Sequence, residues 1–136
     1  MNVLFTAIHN LFIADTGQAY YTAIGGRQYH VKAPQEATYP HVIFDLITGD
    51  DDLDFSDENQ LFEIQFDIIT QDDEATAAGT ILAAMKTLYD DAALTVTGWR
   101  HLFMIRTLTV KMDDLTEDTP IMGYAVQYEV LLEKAK

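Results

Sequence analysis

An alternating segment followed by a helical one, within residues 61–89, constrains the fold more than any other part of the chain. Residues 61–68 alternate strictly between apolar and polar side chains, which is the period of a strand with one buried face. The apolar set is Phe62, Ile64, Phe66 and Ile68, and the polar set is Glu63, Gln65 and Asp67. We therefore predict that the apolar set faces the core and that the polar set faces away from it.

The second part of this segment has the spacing of an amphipathic helix. Its apolar residues recur every three or four positions, at Ala78, Ile81, Leu82, Met85, Leu88 and Tyr89. A Thr-x-x-Asp pattern predicts a helix cap at Thr70, and the acids Asp72, Asp73 and Glu74 would suit the positive end of the helix dipole. A strand with one apolar face beside a helix with one apolar stripe predicts a two-layer core.

Shorter patterns predict the remaining elements. Helical spacing covers residues 2–15, and a short helical turn at 18–24 ends at Gly25-Gly26, where the chain changes direction. Strands are predicted at 41–48, 99–112 and 124–132, with a short edge strand at 94–97. Together these elements predict a single α+β domain over residues 1–136. Its sheet would be mostly antiparallel with four to five strands, with two main helices packed on one face and the order α-β-β-α-β-β.

The predicted strand at 99–112 is long and apolar. Arg106 interrupts a face that is otherwise formed by Leu102, Met104, Leu108, Val110 and Met112. Because burying a charge without a partner is costly, we expect a bulge or partial exposure at Arg106.

The charge distribution argues against simple nucleic-acid binding. The chain has 22 acidic and eight basic residues, a formal net charge of −14, and residues 33–85 contain thirteen acids without any Lys or Arg. Affinity for phosphates depends on Lys and Arg that displace counterions, so we expect no sequence-specific nucleic acid partner. The acidity is equally consistent with a role in solubility alone.

Two absences narrow the class of protein further. Cysteine is absent, which excludes disulfides and thiolate metal sites. No apolar run approaches the ~20 residues that a membrane helix needs, so we expect no membrane partner.

The polar segment 49–59 is the first candidate site. Its six acids are Asp50, Asp51, Asp52, Asp54, Asp57 and Glu58. An EF-hand frame can start at Asp52, but Asp57 then occupies the position that requires glycine, and Glu63 at position twelve lies in the alternating strand. We expect no specific calcium site, with incidental divalent binding as a minor alternative. We interpret this segment as a solvated loop, or as one that faces a partner or the lumen of an assembly.

No pattern of residues predicts an active site. The only serine, Ser56, lies in the acidic segment without a nucleophile-elbow motif, and no glycine-rich nucleotide motif is present. The spacing of metal ligands is absent from the histidines, which are His9, His30, His41 and His101. We expect no enzymatic activity, no cofactor and no metal.

The face of the predicted helix opposite its apolar stripe is the second candidate site. It carries small or weakly polar residues, namely Ala77, Gly79, Thr80, Ala83, Ala84 and Thr87. A solvated helix face normally carries more charge than this. The face therefore either packs against the first helix of the same chain or contacts another subunit.

Three motifs in the first third of the chain suggest a family. They are Ala23-Ile24-Gly25-Gly26-Arg27-Gln28-Tyr29, Ala33-Pro34 and Tyr39-Pro40-His41-Val42. With these motifs and its overall length, the chain resembles the tail-completion proteins of long-tailed phages, also called tail-terminator or head-to-tail joining proteins. The acidic run after Gly49 is heavier than is usual in that family.

This resemblance implies a structural role in the virion. Members of the family form a ring, usually a hexamer, that caps the tail tube, ends its polymerisation and provides the surface that joins the head. The implied partners are further copies of the chain, the tail tube protein and a head-completion or connector protein. The implied location is the virion tail at the head–tail junction, and the host cytoplasm during assembly.

Two other functions stay open on the sequence. An acidic chain can mimic DNA and inhibit a host nucleic-acid-binding protein, and abundant carboxylates can build a small metal enzyme. The acidity also fits the tail-completion role, because a channel that passes DNA should repel phosphate.

Overall fold

A computed structural model describes residues 2–14, 18–49, 59–71, 76–114 and 121–134. Within these ranges the chain forms three helices and five strands. The helices are α1 (Asn2–Ala14), α2 (Ala19–Ala23) and α3 (Thr76–Tyr89), and the strands are β1 (Gln28–His30), β2 (His41–Gly49), β3 (Asn59–Gln71), β4 (Trp99–Asp114) and β5 (Ile121–Lys134). None of the helices in these ranges is long and apolar enough to cross a bilayer.

The five strands form one sheet in the order β1-β2-β3-β5-β4. All neighbours are antiparallel except β1 and β2, which run parallel. The α+β class and the mostly antiparallel sheet are therefore confirmed. The predicted order α-β-β-α-β-β is wrong, because α2 and β1 come between α1 and β2. Three residues are too few to show a period, and β1 exists through its pairing with Val42, Ile43 and Phe44.

The predicted register of β3 is confirmed. The apolar set of this strand is buried, with no member more than 3% exposed, whereas the polar set on the opposite face is half-buried. The buried face forms one core with apolar residues of the helices, namely Leu4, Ile8, Phe12, Ile81, Met85 and Tyr89. Phe66 lies at the centre of this core, with its ring stacked 4.7 Å from that of Tyr89.

The predicted helix cap at Thr70 is wrong. β3 continues to Gln71, and Thr70 is a buried strand residue whose hydroxyl donates a 2.8 Å hydrogen bond to the carbonyl of Met122 in β5. The pairing with β5 extends the strand beyond the point where local sequence favours a helix. Asp72, Asp73 and Glu74 lie outside the described residues, and α3 is described from Thr76.

The predicted edge strand at 94–97 is also wrong. This segment has no strand structure, and its side chains Leu94 and Val96 are buried instead. The backbone N–H of Trp99 donates to the carbonyl of Val96, and the half-buried indole packs against the core as β4 begins. The segment therefore closes one side of the core, and β4 forms the edge.

The Gly25-Gly26 pair makes the predicted change of direction. Both glycines have positive φ, 59° and 73°, which residues with a Cβ rarely adopt. The next residue, Arg27, donates from Nε to the carbonyl of Pro40 at 2.9 Å and from a terminal nitrogen to the carbonyl of Tyr39 at 3.4 Å. The turn thus places Arg27 where it holds the chain leading into β2.

Candidate assembly surfaces

The paired strands β2 and β3 flank the acidic segment. Gly49 at the end of β2 pairs with Phe62. The six candidate acids from Asp50 to Glu58 lie outside the described residues, so their role as a lumen or partner loop stays a prediction. Glu63, the twelfth residue of the EF-hand frame, lies within β3 opposite Glu129 of β5. Among the residues that the structure describes, no group of three or more His, Asp or Glu side chains could hold a metal ion.

The small-residue face of α3 is largely open within the subunit. Thr80, Ala83 and Thr87 are exposed, whereas Ala77, Gly79 and Ala84 are half-buried. A Cβ built on Gly79 would meet no atom within 4 Å, which shows that nothing in the described chain packs closely on this part of the face. Its role as a subunit contact stays a prediction.

The two threonines of this face bond within their own helix. The hydroxyl of Thr80 donates to the backbone carbonyl of Thr76 at 3.0 Å. The hydroxyl of Thr87 donates to the backbone carbonyl of Ala83 at 3.2 Å. Because these donors already have partners, covering the face would leave few polar groups without hydrogen bonds.

The strongest candidate surface lies on β4 and was missed by the sequence analysis. The face expected to be buried contains only one buried residue, Met104. Five large apolar side chains of β4 are 38–45% exposed, and we call them the β4 strip: Leu102, Ile105, Leu108, Val110 and Met112. An exposed, apolar edge strand of 16 residues is a template for pairing with another chain. The strip is therefore a candidate binding surface.

Two bulges explain why the β4 prediction failed. Pairing with β5 shifts between His101 and Phe103 and again between Arg106 and Leu108. The second shift lies beside Arg106, where a bulge was expected. Because each bulge changes which side chains share a face, Ile105 before it and Leu108 after it both point away from the core. Residues 102–105 are all apolar, so no alternation before the second bulge reveals the change of face.

Arg106 is half-buried on the core side of the sheet and has charged and polar partners. Its Nε lies 3.2 Å from the carboxylate of Asp90, which also accepts a 2.5 Å hydrogen bond from the hydroxyl of Tyr128. Burial, and then the bond to Asp90, raise the pKa of the Tyr128 hydroxyl far above its ordinary value, so it stays a donor. This cluster fixes the centre of β4 to the end of α3.

β4 carries less negative charge than most of the chain. It contains three of the eight basic residues, Arg100, Arg106 and Lys111, against the two acids Asp113 and Asp114. Arg100 forms an ion pair with Glu133 of β5, and its side chain remains two-thirds exposed. A second acidic subunit would therefore be repelled less at this edge than at the acidic outward face of the sheet.

The centre of the outward sheet face is polar and acidic. Glu63 of β3 lies directly opposite Glu129 of β5. Two residues further along the same face, Gln65 lies opposite Gln127. The amide of Gln127 donates to Gln65, and the amide of Gln65 donates to Asp67 at 2.8 Å. Like charges directly opposite each other destabilise a sheet, so this face keeps its acids at some cost.

A cleft of about 330 Å³ opens where β2 begins and β4 ends. Its lining is mostly apolar and includes Tyr39, Ile69, Met112 and Ile121. His41 also lines it, and burial lowers the pKa of this imidazole while its Nδ1 lies 3.2 Å from the carbonyl of Thr38. The cleft continues the β4 strip at Met112 and presents no charged histidine near neutral pH.

Comparison with known proteins identifies the fold. No family model matches the chain, and no curated protein matches its sequence. A chain in the virion of a native gene transfer agent particle is similar over 93% of this chain and 92% of its own length, with a TM-score of 0.69 and 15% identity. This similarity shows that the two chains share a fold over more than nine-tenths of each.

A second solved chain is less similar. It is 12% identical, with a TM-score of 0.47 over 93% of this chain and 95% of that one, and this likeness carries no argument.

Proposed function

We propose that this protein is a structural component of a phage virion that caps the tail tube as an oligomeric ring. In this role it ends tail polymerisation and provides the surface that joins the head, without covalent chemistry. Its partners would be further copies of itself, most simply six in a ring, the tail tube protein and a head-completion or connector protein. It would act at the head–tail junction after assembly in the host cytoplasm.

The full-length structural match carries this proposal. The similar chain belongs to the virion of a gene transfer agent particle, and the two folds agree over more than nine-tenths of both chains. Two of the three motifs that resemble tail-completion proteins also contact each other, since the Gly-Gly turn places Arg27 against the carbonyls of Tyr39 and Pro40. The β4 strip adds an apolar surface of the kind that assembling subunits bury.

The acidic outward face supports a channel function. A ring that admits DNA must not hold phosphate, and acids that line it would repel the passing strand. The Glu63–Glu129 pair is one place where the chain keeps such acids despite their mutual repulsion. The same acids would face away from the core in every subunit of the ring.

The net charge predicts how assembly depends on conditions. Subunits of charge −14 repel one another, so the isolated protein should be monomeric at low salt. Salt screens this repulsion over a Debye length of about 8–10 Å at physiological ionic strength and should strengthen assembly. The end of a tail tube would also favour assembly, because binding to a preformed ring raises the effective concentration of subunits.

The decisive test is an amber mutation in this gene of the phage that encodes it. We expect full heads and separate tails of abnormal length that fail to join. Purified protein added to these extracts should restore joining in proportion to the amount added, whereas heat-unfolded protein should not.

Normal joined virions in the absence of the protein would overturn the proposal. A defect confined to protection of phage DNA from host enzymes would instead support the DNA-mimic function. Metal-dependent turnover of a substrate by the purified protein would support the enzyme function.

A further inference from the structure

We propose that the cleft where β2 begins and β4 ends binds a tyrosine side chain of a different protein. The phenol ring lies against the apolar walls of the cleft, and its hydroxyl donates a hydrogen bond to Nε2 of His41. This inference does not depend on the proposed ring function, because it concerns the surface of a single subunit.

Strand register places the cleft on the outward face of the sheet. His41 of β2 lies opposite Ile69 of β3. Ile69 in turn lies opposite Gly123 of β5, which lies opposite Met112 of β4. Because Ile69 is two residues beyond Asp67 of the polar set, it shares the outward face. These four residues form a row across the sheet, and all four line the cleft.

Gly123 leaves a gap in this row. A Cβ on Gly123 would overlap the backbone carbonyl oxygen of Ile68, so β5 requires glycine where it approaches β3 most closely. The consequence on the outward face is an open space between the side chains of Ile69 and Met112. Its volume of about 330 Å³ is near the lower end of ligand pockets, about 300–1,000 Å³, which suits a single ring rather than a large ligand.

The walls of the cleft favour an aromatic ring over an aliphatic chain. Met112 and Met122 bring two thioethers to the lining, and Tyr39 brings a half-buried ring. Thioether sulfurs and aromatic rings both make favourable contacts with a further ring. Asp113 also lines the cleft, but its carboxylate lies 3.2 Å from Nζ of Lys111, which offsets its charge. The lining therefore favours a neutral ligand.

His41 supplies a hydrogen-bond acceptor in these apolar surroundings. It is 5% exposed, and its Nδ1 lies 3.2 Å from the carbonyl of Thr38. Because a carbonyl only accepts, Nδ1 carries the hydrogen, and the neutral ring keeps its lone pair on Nε2. Burial lowers the pKa of this imidazole, which favours the neutral form.

The lone pair on Nε2 of His41 is available to a ligand. No described residue bonds to Nε2, and this nitrogen is not sealed from solvent. The open space that His41 lines is the cleft. An apolar group that filled the cleft would exclude water and leave Nε2 buried without a partner, which is costly. The ligand must therefore bring its own donor, which tyrosine has and phenylalanine lacks.

The tyrosine comes from another protein rather than from a second copy of this chain. All seven tyrosines and Trp99 lie among the described residues, and none of them is exposed. The cleft also continues into the β4 strip at Met112. A partner segment with apolar residues beside its tyrosine would cover both surfaces, with the aromatic ring as the anchor in a pocket.

Binding of p-cresol and of toluene to the purified protein tests the chemistry, because these probes differ only in the hydroxyl group. Titrations followed by NMR would measure both affinities. We expect saturable binding of p-cresol that is about 3- to 10-fold tighter than that of toluene, the range that one hydrogen bond supplies. The nitrogen resonance of Nε2 of His41 should move when p-cresol binds and should stay nearly unchanged with toluene.

Replacement of the histidine tests the acceptor. His41→Leu removes Nε2 and keeps an apolar side chain, so the preference for p-cresol should disappear while toluene still binds. His9→Leu, at an exposed position of α1, is the matched control and should keep the full preference. Thermal melting would confirm that both variants fold, and if His41→Leu does not, the Nε2 resonance of the natural protein decides the same point.

A peptide distinguishes a protein partner from a free small molecule. The probe is an acetylated and amidated Val-Thr-Tyr-Thr-Val peptide, whose apolar residues share one side when it is extended. Its valines lie two residues from the tyrosine, as Val110 of the β4 strip lies two residues from Met112. We expect the peptide to bind about tenfold tighter than p-cresol because it buries more apolar surface, and Val110→Asp should remove most of this gain.

Three results would overturn the inference. Equal affinities for p-cresol and toluene, or no saturable binding of either, would show that the cleft does not recognise a ring with a donor. A full preference for p-cresol in His41→Leu would exclude Nε2 as the acceptor. Peptide binding no tighter than that of p-cresol would assign the cleft to free aromatic molecules instead of a protein partner. The amber mutation tests the proposed function separately from all three.

Discussion

The side-chain amide of Gln28 donates a 3.0 Å hydrogen bond to the hydroxyl of Tyr89 and so connects the short strand β1 to the end of α3. The carbonyl oxygen of the same amide accepts a 2.6 Å hydrogen bond from the hydroxyl of Tyr20 in α2. All three side chains are buried. Burial raises the pKa of the Tyr20 hydroxyl well above its ordinary value, so it remains a donor. One amide therefore joins the neighbouring elements α2 and β1 to α3, which is distant in sequence.

Replacement of this amide should be costly. In Gln28→Met the buried hydroxyl of Tyr20 loses its acceptor, and we expect a loss of about 1–3 kcal/mol in the free energy of unfolding. Urea denaturation of the variant would measure it. Gln18→Met is the matched control, because Gln18 is exposed and makes no side-chain bond to the helix it precedes. Equal stability of the two variants would show that the amide contributes nothing.

The burial of residues in β3 and β4 predicts different costs for the same substitution. Aspartate should destabilise the protein far more at a buried position of β3 than at an exposed position of β4. Ile64→Asp would place an unpaired charge in the core and should cost several kcal/mol, a large share of the 5–15 kcal/mol that stabilises a typical domain. Val110→Asp, on the exposed β4 strip and opposite the uncharged Ala125, should change the stability of the isolated subunit by only about 0.5 kcal/mol. Thermal melting of the monomer at low salt would compare them, and similar losses would contradict the observed faces.

Two glycines should respond to alanine in opposite directions. A Cβ on Gly123 would overlap the backbone carbonyl oxygen of Ile68, so Gly123→Ala should destabilise the protein by about 1–3 kcal/mol. Gly79 lies inside α3 with open space around it, so Gly79→Ala should stabilise it by about 0.5–1 kcal/mol. Calorimetric melting temperatures would show the two shifts, and a stabilised Gly123→Ala variant would be incompatible with the close approach of β5 to β3.

The buried histidine predicts a loss of stability in mild acid. Burial lowers the pKa of His41; the hydrogen bond with the Thr38 carbonyl partly opposes this, and nearby Arg27 lowers the pKa slightly further. The unfolded chain then binds a proton more readily than the folded one below about pH 6.5. The free energy of unfolding therefore decreases, and the protein becomes less stable, as pH drops from 7.5 to 5.5. Burial lowers the pKa of His101 in the same direction.

His41→Gln should therefore reduce this acid sensitivity. Denaturation in urea at pH 7.5 and pH 5.5 would measure the difference for each variant. His9→Gln, at an exposed position of α1, should keep the full difference of the natural protein. An unchanged pH dependence in His41→Gln would refute the assignment to this side chain.

Local patterns predicted the parts of the fold that local interactions decide. The alternation from Phe62 to Ile68 specified the buried face of β3, and helical spacing specified the stripe of α3. Pairing between distant strands decided the rest. Thr70 became a strand residue through β5, and the outward direction of Leu108 depends on a bulge that only the register with β5 defines.

The two candidate surfaces also differ in whether local sequence patterns could predict them. The helical spacing of the sequence identified the small-residue face of α3, and Thr80, Ala83 and Thr87 on this face are exposed in the structure. The β4 strip could not, because an apolar strand reads the same in the middle of a sheet as at its edge. Strand order is a property of the whole chain, and it places β4 outermost.

The position of Trp99 gives the molecule a built-in optical reporter. It is the only tryptophan, it lies half-buried at the first residue of β4, and the next residue is the exposed Arg100. Occupation of this edge would change the polarity around the indole, and its emission would shift accordingly. Intrinsic fluorescence would thus report any partner that binds at this edge, in unlabelled protein and in real time.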